Sequence, residues 1–383
     1  MRNPTIIYLA LFGIFAFIML ALKKIVVQDF RNIEFQELSF SPNVNCISGN
    51  NGEGKTNLMD AIYYLSMTKS SFSASDKFNF RYSCEAFTLA GVYQMPDGME
   101  SRVSINVTSS GEKKLKRDDK LYSKVSEHIG VLPIVMVSPS DIVLVSESGE
   151  ERRRFVNSVL SQMDREYLFD MQQYNRLLIQ RNRMLKDKSY DMDLLSIFDA
   201  KMDQYAKRVH DARGNFVKAL RPVVSQYYKT LSGNMEEVSI EYKSDLNERS
   251  LQDILNDCRE KDTLFCYTTA GIQRDDFIFT MNGYPIRKVG SQGQQKSFLV
   301  SLKFAQYEIM KHKYGYPPIL LLDDVFDKLD MGRISNLLSM VAGNDFGQIF
   351  ITDSNKVRIT GIVDKITTDR AYFDTSKGAF TQL

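Results

Sequence analysis

The chain has 383 residues, and its 49 lysine and arginine residues against 47 aspartate and glutamate residues give a formal net charge of +2. Its 43% hydrophobic and 25% charged residues are typical of a globular protein and exclude a disordered, collagen-like or repeat-only chain. Because the charges are so nearly balanced, any surface that binds nucleic acid has to be local.

The first 21 residues differ in character from the rest of the chain. Residues 5–22 carry no charge and are almost entirely apolar, a length that just suffices for a membrane-spanning helix. Three interpretations are possible: a membrane anchor, a buried helix of the fold, or an upstream extension of a protein whose working chain starts at Met19. The buried helix is disfavoured because no polar residue marks an outer face. We favour the upstream extension, because a compact strand pattern begins directly after Met19. A secretory signal is disfavoured, since no small-residue cleavage site follows the run.

Residues 22–145 follow a strand-rich pattern with one helix. Segments rich in β-branched and aromatic residues predict strands that end at Ser48 and at Val137, with two more near residues 87–93 and 102–107. Between the strand that ends at Ser48 and the one near residues 87–93, apolar residues at helical spacing predict a helix over residues 56–66.

Residues 146–260 are dominated by helix formers, and residues 261–383 return to a mixed pattern. The middle part predicts two long helices divided near Ser189, followed by a strand over residues 238–242. In the last part, Asn282-Gly283 predicts a hairpin turn, followed by a helix from about Gln292 and a strand that ends at Leu322. This order predicts an α/β fold in which one discontinuous domain (residues 22–145 and 261–383) is interrupted by a helical insertion.

A glycine-rich segment matches the phosphate-loop pattern G-x-x-x-x-G-K-[ST] in full, and it lies between a predicted strand and a predicted helix. Its glycines let backbone N–H groups wrap a polyphosphate, and the helix N-terminus adds partial positive charge. We expect Lys55 to bridge the β- and γ-phosphates of ATP and the Thr56 hydroxyl to ligate Mg²⁺. The predicted cofactor-binding residues of this loop are Gly49, Asn50, Asn51, Gly52, Glu53, Gly54, Lys55 and Thr56.

Two carboxylates follow a run of four aliphatic residues at the end of the strand that reaches Leu322. This is the pattern of a buried parallel strand whose carboxyl end faces a ligand site. We expect Asp323 to hold Mg²⁺ through water and Asp324 to orient or deprotonate the attacking water. Many ATPases with this layout have glutamate at the second position, so the shorter aspartate predicts slow hydrolysis.

A third motif lies just upstream of the acidic strand and precedes a long helix. It resembles the Ser-Gly-Gly-Gln signature of ABC-type ATPases, and its candidate nucleotide-binding residues are Ser291, Gln292, Gly293 and Gln294. Ser291 is placed to cap the helix. In ABC-type dimers such a helix start contacts the γ-phosphate held by the other subunit. Residues 326–330 then occupy the D-loop position of that class.

Further segments occur in the order typical of one family. They are residues 29–32, 56–62, 138–141, 151–155, 174–176, 180–182, 274–276, 291–295 and 322–326. On these segments the chain from about residue 22 onward resembles the RecF family of recombination-mediator ATPases, which is related to SMC heads. Three departures stand out: Gln273 where the family usually has histidine, Ser73 where it usually has arginine, and the apolar N-terminus.

The resemblance implies an ABC-type ATPase head with an inserted helical domain, with Lys55, Asp323 and Asp324 in catalytic roles and Arg31 among the nucleotide contacts. It also implies ATP and Mg²⁺ as cofactors and a homodimer that ATP closes on gapped DNA. The implied partners are RecR and RecO, acting on RecA, and the implied location is the cytoplasm, which the four widely spaced cysteines also favour.

Two basic segments are candidate DNA contacts through phosphates. One contains Arg176, Arg181, Arg183, Lys186 and Lys188, and the other is residues 113–117, which we expect to form a loop. For each, a solvated surface without a DNA role is the alternative.

Two alternative functions are considered. A membrane-associated ABC-type transport ATPase is suggested by the apolar N-terminus, but one span forms no transport pathway, and Thr352 and Asp353 stand where transporters have the switch histidine. A chromosome-organising ATPase of the SMC type needs hundreds of heptad residues between the nucleotide motifs, and the chain has none.

Overall fold

A computed structural model of the chain describes residues 19–147, 149–187, 191–233, 235–325, 346–364 and 367–383. These residues form two compact units, the first containing residues 19–128, 314–324 and 346–383, and the second residues 129–313 and 325. The division after residues 145 and 260 that the sequence suggests stays a prediction. Residues 5–18 of the apolar run and the D-loop position, residues 326–330, lie outside the described residues.

Strands and helices are numbered in chain order. The strands are β1 (Ala21–Phe30), β2 (Ile33–Ser39), β3 (Val44–Ser48), β4 (Ala86–Gln94), β5 (Glu100–Thr108), β6 (Lys113–Arg117), β7 (Lys120–Leu121), β8 (Ile134–Val137), β9 (Val238–Lys243), β10 (Asp276–Met281), β11 (Tyr284–Pro285), β12 (Ile319–Asp323), β13 (Ile349–Asp353), β14 (Arg370–Ser376) and β15 (Ala379–Gln382). The helices are α1 (Lys55–Met67), α2 (Val143–Ser146), α3 (Gly149–Met163), α4 (Arg165–Asp187), α5 (Met192–Ser232), α6 (Leu251–Asp257), α7 (Arg259–Phe265), α8 (Ile286–Val289), α9 (Gln292–Tyr314) and α10 (Lys356–Val363).

The first unit contains an antiparallel sheet in the order β2-β1-β4-β5-β6-β7. Buried residues alternate with more exposed ones along β4 and β5, because successive side chains of a strand point to opposite faces. On the buried face, the ring of Phe87 lies 5.1 Å from Phe30 and 5.5 Å from Tyr64 of α1, measured between ring centroids. Helix α1 therefore belongs to the core that this sheet covers.

The other sheet of the first unit contains β15, β14, β3, β13 and β12 in that order. Four of these strands are parallel and β15 is antiparallel. All residues of β3, β12 and β13 are buried, which explains the apolar runs of β12 and β13. Parallel pairing brings the carboxyl ends to one edge, where Ser48 pairs with Asp353 and Thr352 pairs with Asp323. Helix α1 contacts β12 and β13 as well as the antiparallel sheet.

The second unit has three helices, α3, α4 and α5, where the sequence predicted two between residues 149 and 228. The extra break is at Asp164, whose carboxylate accepts hydrogen bonds from the backbone N–H groups of Glu166 and Tyr167. This is helix N-capping by a residue embedded among helix formers, so the pattern of apolar residues does not reveal it. The predicted hairpin at Asn282-Gly283 is confirmed between β10 and β11.

The basic segment 113–117 is a strand, β6, and the prediction of a loop was wrong. It pairs with β5, and its central residue Leu115 is buried while Lys114 and Lys116 are exposed. Leu115, the only apolar residue of this segment, faces the core. The four basic residues around it mask the alternation of buried and exposed positions that would have indicated a strand.

Among the described residues, no helix is both long enough and apolar enough to cross a membrane.

A buried histidine makes the stability of the first unit depend on pH. His128 is fully buried, its Nε2 donates a hydrogen bond of 2.8 Å to the Leu65 carbonyl, and its Nδ1 lies 3.2 Å from the Tyr122 hydroxyl. Burial lowers the pKa of His128 from 6.5 to about 4. Between these values the unfolded chain binds a proton that the folded chain excludes. The contribution of His128 to the free energy of unfolding is therefore complete above pH 6.5 and declines as the pH falls toward 4.

We predict that the free energy of unfolding contains a His128 contribution of about 3 kcal/mol that is lost between pH 7 and pH 4. His128→Gln should remove that dependence, as measured by urea unfolding at a series of pH values and expressed as the difference from wild type. His312→Gln is the matched control, because the His312 side chain is 78% exposed. Parallel pH profiles of wild type and His128→Gln would contradict the prediction.

Candidate nucleotide-binding site

The phosphate-loop residues connect the end of β3 to the start of α1, as the sequence predicted. Gly54 is the residue before α1, with φ +112°, and no side chain caps the helix there. The first turn of α1 also contains no acidic residue. The N-terminal N–H groups of the helix are therefore placed to bind an anion.

Two glycines of the loop are required by close approach as well as by backbone conformation. Gly49 has φ +153°, and a Cβ there would lie 2.7 Å from the carbonyl oxygen of Thr375. A Cβ on Gly54 would lie 2.9 Å from the amide of Asn32. The loop thus packs closely against the segments that carry these two residues.

Lys55 is nearly buried, at 4% exposure. Its ammonium donates hydrogen bonds to the carbonyls of Gly49 (2.7 Å) and Asn50 (3.0 Å). These contacts fold the lysine back over the loop, so its positive charge lies where a phosphate would be cradled.

Thr56 and Asp323 meet although they are 267 residues apart in the sequence. The Thr56 hydroxyl donates to both carboxylate oxygens of Asp323, at 2.9 and 3.1 Å. A hydroxyl and a carboxylate side by side are oxygen ligands of the kind that Mg²⁺ prefers. The residues present therefore fit the metal that the sequence predicted for them.

Thr352 completes this arrangement. Its hydroxyl donates to Asp323 (2.7 Å) and accepts a hydrogen bond from the backbone N–H of Asp324 (2.9 Å). Burial raises the pKa of the Asp323 carboxyl above its ordinary value, and the hydrogen bonds from Thr352 and Thr56 act in the opposite direction. Asp324 has φ +45°, a left-handed conformation that aspartate tolerates better than most residues.

A cleft of about 270 Å³ opens on this group, and of its lining residues all but Asn57 are predicted site residues. The lining residues are Asn51, Gly52, Gly54, Lys55, Thr56, Asn57 and Asp324. Glycine backbone, one cation and one carboxylate thus face the same space, which suits a polyphosphate bound with a metal ion.

Arg31 lies beside the loop, on the turn between β1 and β2. Its guanidinium forms an ion pair of 2.6 Å with the buried Asp60 and donates to Asn57 (3.1 Å) and Ser70 (3.0 Å). Arg31 therefore contacts a residue that lines the cleft, Asn57, and is not itself one of the lining residues. Its direct contact with the nucleotide stays a prediction.

The signature motif lies in the second unit, at the start of α9. As predicted, Ser291 caps the helix: its hydroxyl accepts from the Gln294 N–H (3.3 Å), and the Gln294 side chain accepts from the Ser291 N–H (2.7 Å). Gln294 also donates to the Glu236 carboxylate at 2.6 Å. Ser291 and Gln292 are exposed, so the capped helix start is open to a partner.

One of the candidate DNA contacts is excluded by its burial. Arg181 is fully buried in ion pairs with Asp199 (2.6 Å) and Asp262 (2.7 Å), so it anchors helix packing and does not reach a ligand. Arg176, Arg183 and Lys186 of the same segment are exposed, and Lys188 lies outside the described residues.

The two positions that depart from the family pattern have partners close by. The Ser73 hydroxyl donates to the Ser75 carbonyl at 2.7 Å, within its own loop. Gln273 accepts a hydrogen bond from the Tyr174 hydroxyl and donates to the Ala270 carbonyl. Ser73 thus stabilises its own loop, and Gln273 connects its segment to α4.

The sequence reasoning missed the roles of Thr352, Asn32 and Thr375. Thr352 orients Asp323, while Asn32 and Thr375 approach the loop glycines. For Thr352 a signal existed, because a polar residue that ends an apolar strand lies level with the acidic end of a parallel neighbour. For the other two, none is visible without the fold.

Fold and site together define the class: this is a P-loop ATPase head of the ABC type. A family model described as "RecF/RecN/SMC N terminal domain" matches residues 21–368. The chain is 42% identical to the DNA replication and repair protein RecF of Parabacteroides distasonis, over 93% of this chain and 98% of the relative. It is 39% identical to the protein of that name from Bacteroides thetaiotaomicron, over 94% and 98% of the two chains. The chain belongs to the RecF family of DNA replication and repair proteins.

Solved structures agree with this assignment. A structure described as the recombination mediator protein RecF with ATP in the RecFOR pathway covers 96% of this chain and 99% of its own, with a TM-score of 0.87 and 30% identity. An SMC head domain from Pyrococcus furiosus matches with a TM-score of 0.58 and 13% identity, which supports the shared fold alone.

We predict that Lys55→Ala weakens ATP binding at least about tenfold, because a charged hydrogen bond to a phosphate is lost. Isothermal titration calorimetry with Mg-ATP measures this directly. Lys77→Ala is the matched control, since Lys77 is an exposed lysine of the same unit. Equal affinities of the two variants would refute the assignment of Lys55.

Proposed function

We propose that this protein is an ATP-controlled DNA-binding protein of recombinational repair and replication restart. The phosphate loop binds ATP with Mg²⁺, and the Ser291 helix start of one copy contacts the γ-phosphate bound to another copy. ATP thereby closes a homodimer on gapped single- and double-stranded DNA, and slow hydrolysis reopens it.

The observation that carries the proposal is the contact of Thr56, which lines the cleft, with the buried Asp323. It joins the end of the phosphate loop to the end of the acidic strand, which is the arrangement that phosphoryl-transfer ATPases use for a metal-bound nucleotide. When bound, Mg²⁺ neutralises charge on the phosphate oxygens. The side chains of Thr56 and Asp323 position the metal, Lys55 contacts the phosphates, and Asp324 orients the water and accepts its proton.

The exposed, capped start of α9 supports the dimer. Five residues fix its shape, because Ser291 and Gln294 cap one another, Gln294 is anchored to Glu236, and Gln295 donates to the Gly290 carbonyl at 2.8 Å. A rigid helix N-terminus of this kind binds a phosphate without reorganisation.

The partners follow from the family. The relatives named RecF are DNA replication and repair proteins, and the ATP-bound structure is described as a mediator of the RecFOR pathway. We therefore propose DNA junctions, RecR and RecO as partners, action on RecA, and a cytoplasmic, nucleoid-associated location. Exposed basic residues such as Lys116 and Arg183 provide sequence-independent phosphate contacts.

The test is association of the full chain, alone and with gapped duplex DNA, in the presence and absence of Mg-ATP. Multi-angle light scattering should show a dimer only with ATP, and DNA affinity should rise with ATP and fall as salt is raised from about 50 to 200 mM. A chain that stays monomeric at saturating Mg-ATP, with DNA present, overturns the proposed function.

We predict that Ser291→Arg leaves Mg-ATP binding within about twofold of wild type but abolishes ATP-dependent dimerisation and hydrolysis. The larger, positively charged side chain would block the helix start, which is exposed, and leaves every residue of the phosphate loop unchanged. Calorimetry and light scattering on the same samples separate the two effects. Ser250→Arg is the matched control, because Ser250 is also an exposed helix N-cap of the second unit. Normal ATPase activity in Ser291→Arg would count against a shared nucleotide site.

We predict that Asp324→Asn lowers the hydrolysis rate about a hundredfold or more, as expected when a general base is removed, and that it accumulates an ATP-bound dimer. The amide keeps the size of the side chain and the backbone contact with Thr352, so the fold is retained. Single-turnover hydrolysis and light scattering measure the two effects. Wild-type turnover in the variant would remove Asp324 from the catalytic residues.

A further inference from the structure

The phosphate loop is in contact with the last hairpin of the chain, β14–β15. Three hydrogen bonds converge on Glu53, the residue before Gly54. Its carbonyl accepts from the Gly378 N–H (2.8 Å) and from the Thr375 hydroxyl (3.1 Å), and its carboxylate accepts from the Lys377 N–H. Thr375 is 5% exposed, so its side of the contact is buried, whereas the hydrogen bond from Lys377 is exposed.

The last hairpin also lies close to the turn between β1 and β2. Gly49 approaches the Thr375 carbonyl, and a Cβ on Gly378 would collide with the Asn32 carbonyl of the β1–β2 turn. The Asn32 amide also approaches Gly54 and accepts from the Asn57 side chain at 2.7 Å. The phosphate loop is thus packed against two hairpin turns.

The turn of the last hairpin adopts a backbone conformation in which lysine is uncommon at the first position. Lys377 has φ +51° and Gly378 φ +83°, the geometry of a type I′ turn, in which asparagine is common at the first position and lysine is not. In this conformation the N–H groups of both residues are directed at Glu53. An uncommon backbone conformation with such a contact is the kind found at functional sites.

We propose that the β14–β15 hairpin is a positioning element of the nucleotide site, with Thr375 as its positioning residue. In a trans peptide the carbonyl of one residue and the N–H of the next point in opposite directions. Anchoring the Glu53 carbonyl to the hairpin therefore aims the Gly54 N–H away from the hairpin, and Gly54 lines the cleft. A loop with three glycines is otherwise free to turn this peptide over, which would present a carbonyl to the phosphates.

The inference rests on the proposed function, since it assumes that the loop binds ATP. The test compares Thr375→Val, which keeps the shape of the side chain and removes the hydroxyl, with Thr375→Ser, which restores the hydroxyl. The loss of one hydrogen bond predicts that Thr375→Val binds Mg-ATP about fivefold to tenfold more weakly than wild type. Thr375→Ser should bind within about twofold of wild type. A merely structural role of the methyl group would give the reverse order.

Two controls separate the possible outcomes. Thr381→Val makes the same change at an exposed position of the same hairpin and should leave affinity and thermal stability as in wild type. Lys55→Ala tests the site itself: if it weakens ATP binding while Thr375→Val does not, the positioning role alone is overturned. If neither variant weakens ATP binding, the proposed function is overturned as well. Should Thr375→Val melt several degrees below wild type, Thr375→Ala, which adds no bulk, replaces it in the comparison.

Discussion

The parallel register of β3, β13 and β12 is the constraint on which the rest of the site depends. It places the residue after β3, the start of the phosphate loop, at the same sheet edge as Asp323 and Thr352. Only in that register do Thr56 and Asp323 come within 2.9 Å. A shift of one strand by a single residue would turn Asp323 to the opposite face of the sheet and separate the oxygens that we propose hold Mg²⁺. The buried aliphatic residues of β12 therefore position the proposed site as well as stabilise the fold, since their packing fixes the register.

The sequence predicted those parts of the site whose chemistry is local. A phosphate loop needs glycines, a lysine and a hydroxyl at fixed spacing, and an acidic strand end needs aliphatic residues before its carboxylates, so both were visible without a fold. The same holds for Ser291, because a helix cap is a contact between near neighbours. Contacts between distant segments were not predictable: the hydrogen bond of Thr375 to Glu53 spans 322 residues, and no period or spacing indicates it. The burial of Arg181 was missed for the same reason, since its acidic partners are 18 and 81 residues away.

The two compact units carry different parts of the proposed reaction. The first contains the phosphate loop, Asp323, Asp324 and Thr352, the groups that we propose bind and hydrolyse the nucleotide. The second contains the Ser291 helix start and the exposed basic residues of α4. Nucleotide binding and dimerisation are therefore separable by mutation, although one ligand links them. In a protein that uses ATP as a switch this is the expected arrangement, because the ligand can only shift an association equilibrium through contacts that the dimer has and the monomer lacks.

The burial of the Asp323 carboxylate explains why ATP with its metal ion would strongly affect the contact between Thr56 and Asp323. Asp323 is 2% exposed, and burial raises the pKa of its carboxyl, so the charged form is less stable there than in water. Two hydroxyls, from Thr56 and Thr352, compensate part of this cost. A cation that coordinated the same oxygens would compensate more, and its binding energy would add to the stability of the folded first unit. Under the proposed function, nucleotide binding would therefore stabilise the sheet edge itself. That edge also contains β14, which leads into the hairpin that packs against Glu53, so the same ligand would stabilise the last strands as well.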